Sequence, residues 1–143
     1  MGYPNKISTT ITKNELNEIL KAIELIDEKL PGLVTLSKEE IAALPRMNAH
    51  TETFVNDCLK YARKYPNFIP EDINVEEIKK DVTLIKSLLQ INKALTKLKQ
   101  KIEDNILLAS SEAYLPCIGI YNSIKTAKFT RAEKVRKRRP VTA

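Results

Sequence analysis

Apolar residues recur three and four positions apart along most of this chain, and each run begins at a residue able to cap a helix. Thr12-Lys13-Asn14-Glu15 has the form of a capping box, in which hydroxyl and carboxylate satisfy free backbone donors. Leu16, Ile19, Leu20, Ile23, Ile26 and Leu30 follow it on one helix face, and "LPGL" stops the run. Ser37-Lys38-Glu39-Glu40 repeats the capping pattern ahead of a short helix that Pro45 ends near Leu44. A second long helix is predicted from about Asn48 to Tyr65, with Phe54, Val55, Cys58, Leu59, Ala62 and Tyr65 on its apolar side. "YPNFIPED" then predicts an extended connection, because proline disfavours helix in the residue before it.

Asn74-Val75-Glu76-Glu77 is a third capping pattern, and no Gly or Pro follows until Pro116. Two stripes share this stretch. Val75, Ile78, Val82, Ile85 and Leu89 form the first. The second begins at Leu88 and Ile91 and continues through Leu95, Leu98, Ile102 and Ile106 to Ala127. They are out of phase, and the change falls between Ser87 and Asn92. A straight helix over 75–128 would be about 80 Å long, more than one small domain covers. The pattern therefore predicts a reversal, either at the phase change or at Ser110-Ser111 ahead of Pro116. The fold class expected is all-α: an antiparallel, up-and-down bundle of about four main helices plus one short helix. Residues 1–11 read as an N-terminal extension, 12–129 as the bundle, and 130–143 as a flexible basic tail.

Charge changes the picture at one end only. From Lys125 onward eight basic residues face a single acid, a net of +7, whereas residues 1–124 hold 16 basic and 17 acidic groups. The body is neutral, and the overall +6 belongs to the tail. Arg131, Lys134, Arg136, Lys137, Arg138 and Arg139 are the candidate contacts to phosphate. No aromatic residue beyond Phe129 is available for base stacking. The N-terminal stretch lacks a signal-peptide core, position 6 is Lys where a myristoylation motif wants Ser or Thr, and no 18-residue apolar run exists. A cytoplasmic protein is expected.

Catalytic and metal chemistry find little to stand on. One histidine, His50, excludes HExxH and the paired Glu-x-x-His sites of di-iron bundles, and reads as a capping or surface residue. Cys58 and Cys117 lie on apolar stripes and read as small core residues. The three glycines form no phosphate loop. No catalytic residue, metal ligand or cofactor is assigned. The most site-like group is Glu103, Ser110, Tyr114 and Tyr121, which with Lys128 fall in one narrow band at about 100° per residue. They line a polar pocket between helices or form the boundary layer of a bundle, rings packed and hydroxyls in water.

"SEAYLPCIGIYNSIKTA", with "LSKEEIAALPRM" upstream, resembles a group of uncharacterised bacterial proteins. In that group a "GSEAY" segment opens an alanine-rich helix containing "FYN.VK". The matching residues are Ser111, Glu112, Ala113, Tyr114, Tyr121, Asn122 and Lys125, with Leu44 to Met47, Phe54 and Val55, spread over most of residues 35–128. The resemblance implies a small cytoplasmic helical bundle with no assigned activity. Ser110 in place of the usual glycine, Pro116, and the basic ending depart from it.

Three functions remain open. The first is a non-enzymatic bundle acting through a protein partner or self-association. The second is non-specific RNA or DNA binding by the tail, and the third a small-ligand or enzyme site between helices.

Overall fold

The computed structural model describes residues 2–138, with side chains through Lys134. Helix is the only regular structure among them. Helix α1 spans Lys13–Glu28, α2 Lys38–Ala43, α3 Ala49–Lys64 and α4 Val75–Arg138, with a 3-10 turn at Pro66–Phe68 between α3 and α4.

The starts follow the capping chemistry closely. Thr12 Oγ1 accepts from Glu15 N at 3.1 Å. Ser37 and Glu40 close a full capping box at 3.1 and 2.7 Å. Asn48 Oδ1 takes the amides of His50 and Thr51 at 3.0 and 3.1 Å, and Asn74 Oδ1 takes those of Glu76 and Glu77. Each bond removes an orphan donor from a first turn. At the far end of α1, Gly32 supplies a φ of 120° in the "LPGL" turn, a conformation that a side chain would strain. The connection after α3 differs from the extended one predicted. Phe68 N and Ile69 N reach back to Tyr65 O and Pro66 O, because proline fits the first position of a helical turn. Tyr65 and Phe68 then meet edge to face at 6.2 Å.

The reversal predicted between 75 and 128 is not found: α4 is unbroken. The phase change turns the apolar face without introducing a residue that breaks backbone hydrogen bonds. Ser110 bonds back to Ile106 O at 2.6 Å and stays helical. Pro116 removes one donor, the one that would serve the Glu112 carbonyl, and the helix continues past it.

The chain divides into two units, Ile11–Lys93 and Met1–Thr10 with Ala94–Ala143. In the first unit α3 and the opening turns of α4 run antiparallel, since residues early in α3 face Val82, Ile85 and Leu89 while late ones face Val75 and Ile78. Among the described residues the closest backbone approach between elements is that of α3 and the 3-10 turn, and within this unit no Cα of α1 comes within 8 Å of α2, α3 or the opening turns of α4. In the second unit the N-terminal arm lies on α4 through residues 3–7. No residue with a described side chain is buried. Cys58 and Cys117 are accordingly exposed thiols rather than the core residues expected.

Candidate functional site

Two surfaces stand out, one in each unit. The first is the cleft between α3 and α4, about 650 Å³ in volume. Its α3 wall is the stripe read from the sequence, Phe54, Val55, Cys58, Leu59, Ala62 and Tyr65; Phe68, Ile69 and Ile73 close one end and Val75 and Ile78 form the facing wall. Lys64 Nζ stands 5.4 Å from the Tyr65 ring centre at the rim. A second cleft of about 320 Å³ flanks the start of α3, between Met47, Glu52 and Val55 on one side and Val82, Lys86 and Leu89 on the other. The walls of the larger cleft are almost wholly apolar and suit apolar matter, whereas Asn48, Glu52, Asn56 and Lys86 bring polar groups to the smaller one.

The second surface is the seat of the arm. Glu112, half-buried on α4, accepts the backbone amides of Lys6 and Ile7, the latter at 3.4 Å. With its amide nitrogen turned to the carboxylate, Asn5 donates to Glu112 Oε2 at 3.2 Å and to Ile7 O at 2.8 Å. Seven residues further along, the Tyr3 hydroxyl occupies the place where a Cβ on Gly119 would stand. The arm therefore runs antiparallel to the helix. Seven helical residues rise about 10.5 Å, which three or four extended residues also span. Leu108, Glu112, Pro116 and Gly119 are the half-buried positions of this part of α4, and they form one line beneath the arm.

That line lies about half a turn from the band of Glu103, Ser110, Tyr114 and Tyr121. Those four share one side of α4 and line neither cleft. Glu103 pairs with Lys99 at 3.5 Å, Ser110 is used by its own helix, and Tyr114 and Tyr121 are 66% and 64% exposed. Arg131 and Lys134 stand exposed on the last turns of α4. Arg136, Lys137 and Arg138 are helical positions whose side chains lie outside the described set, as Arg139 does entirely. His50 contributes its backbone amide to the Asn48 cap. Among the described residues no group of three His, Cys, Asp or Glu is placed to hold a metal ion, and no helix is long and apolar enough to cross a membrane.

Glu112, Tyr3 and Gly119 were not legible as a site, because an arm without periodicity gives no hint of where it docks. The available signal was the line Glu112, Pro116, Gly119 at spacings of four and three: a carboxylate, a missing donor and a missing side chain on one helix face. No family model matches the chain, and comparison with curated proteins and with solved structures found no match.

Proposed function

We propose that this chain is a non-enzymatic, cytoplasmic helical protein that acts by helix–helix association, with a protein partner or with further copies of itself. The observation that carries the reading is the absence of any buried side chain among those described, beside apolar faces on α1, in the α3–α4 cleft and along α4. Apolar surface gains about 25 cal/mol per Å² when removed from water, and faces of this kind on a soluble chain mark interaction surfaces. In this reading the antiparallel bundle of about four helices is the assembled state. The arm on residues 1–11 and the basic segment from 130 are appendages to a 12–129 body. Sedimentation velocity over a wide concentration range, in parallel with binding of a hydrophobic dye, tests it. Association with concentration and loss of dye binding are expected. A monomer at every concentration that binds no dye would remove the reading.

A second reading is non-specific nucleic-acid binding through Arg131, Lys134 and Arg136 to Arg139. The exposure of Arg131 and Lys134 on a helix that continues to Arg138 favours it. Affinity for RNA or DNA should then fall steeply with salt, and deletion of 130–143 should abolish retention. A small-ligand pocket around Glu103, Ser110, Tyr114 and Tyr121 has least support. Replacing both tyrosines by Phe would leave binding unchanged if they are surface residues.

A further inference from the structure

We infer that the α3–α4 cleft is filled by α1 of a second copy, exchanged reciprocally; this rests on the self-association reading above and names its partner segment. Helix α1 carries Leu16, Ile19, Leu20, Ile23 and Ile26 on one face, each between 40 and 55% exposed. Among the described residues, no α1 residue lines either cleft, and no Cα of α1 comes within 8 Å of α2, α3 or the opening turns of α4. Lengths agree: Leu16 to Ile26 rises about 15 Å, and the α3 wall from Phe54 to Tyr65 about 17 Å.

Area selects the reciprocal arrangement. The uncovered fractions of the α1 stripe and of the cleft aromatics Phe54, Tyr61, Tyr65 and Phe68 amount to about 750 Å² for one docking, taking ~100 Å² per aliphatic and ~200 Å² per aromatic side chain. One docking falls short of the roughly 1,000 Å² that a specific interface needs, and two give about 1,500 Å², the ordinary size. A two-fold exchange supplies both at once.

Charge sets the direction. Glu24, Asp27 and Glu28 crowd the last turns of α1, where they outnumber the C-cap Lys29 and the helix end is already negative. None has an ion-pair partner among the described residues, and neither do Arg46 and Lys86 beside the start of α3. An α1 laid antiparallel to α3 brings these acids to those two cations, which outnumber Glu52 on the same rim, and to the positive end of α3. Ile23 then sits opposite Cys58.

Two full-length variants test this when mixed under mild oxidation. One carries Ile23→Cys with Cys58→Ser and Cys117→Ser; the other carries Cys117→Ser and keeps Cys58. A disulfide heterodimer is expected at least about tenfold faster than with Leu25→Cys, on the opposite face of α1, because docking raises the local thiol concentration to about millimolar. An association-competent mixture without that preference would overturn the exchange and leave self-association standing. So would a third variant, Ile23→Cys with Cys117→Ser and Cys58 kept, that links only within its own chain. A monomer by sedimentation would remove both. As a second measure, Lys86→Glu should weaken association up to about fivefold, and Asp27→Lys should restore it. Failure to restore would overturn the antiparallel docking.

Discussion

Removing the Glu112 carboxylate should release the arm. Docking fixes the backbone of residues 3–7, at about 1–2 kcal/mol each. Against this stand the amides of Lys6, Ile7 and Asn5 on one carboxylate and a Tyr3 ring still 56% exposed. A hydrogen bond to a charged group contributes about 1.5–3 kcal/mol when well formed. Here the Ile7 bond is long and Glu112 is only half-buried, so Glu112→Ala should cost about 1–2 kcal/mol, a 5- to 30-fold shift towards the undocked arm. Trypsin reads this directly, since the Lys6–Ile7 bond lies under the contact. Where opening is fast relative to cleavage, the rate follows the open population. Cleavage at Lys6 should therefore rise 5- to 30-fold, while cleavage after Lys29, remote in sequence and in the other unit, stays constant. Glu112→Gln, which keeps an acceptor, should fall between. If Glu112→Ala leaves the Lys6 rate unchanged, the carboxylate does not hold the arm.

Three further outcomes follow from the same surfaces. Gly119→Ala should favour helix by about 1 kcal/mol yet displace Tyr3; helical content by circular dichroism should hold or rise while tryptic cleavage at Lys6 increases, and a drop in both would contradict this. Pro116→Ala should raise the midpoint of helix melting, since an interior proline costs about 3 kcal/mol; an unchanged midpoint would mean that other contacts offset the missing bond. Ser37→Ala should destabilise α2 by about 1 kcal/mol, visible as faster amide exchange at Ile41, whose N–H bonds the Ser37 carbonyl.

The helices were legible because caps and apolar periodicity are local. Thr12, Ser37 and Asn74 cap the helices their spacing indicates, and Asn48 caps the helix expected to start about there. The α3 stripe and the first α4 stripe were also read correctly as faces, and they line the clefts. The course of α4 was not legible, since a change of stripe phase moves the apolar side without bending the backbone, and Pro116 weakens a long helix without ending it. The 3-10 turn after α3 was missed because a proline that disfavours helix before itself also starts a helical turn well.

The second α4 stripe carries a geometric consequence. From Leu95 its members follow at three, four and four residues, repeatedly: Leu98, Ile102, Ile106, then Ala109, Ala113, Cys117, then Ile120 and Ile124. An eleven-residue repeat drifts opposite to a heptad, so a helix laid along it would cross with a right-handed, nearly straight wrap rather than the left-handed coil of common bundles. The middle members are small and the outer ones large. Two helix axes could therefore come closest at the waist around Ala113 and would be held further apart at either end.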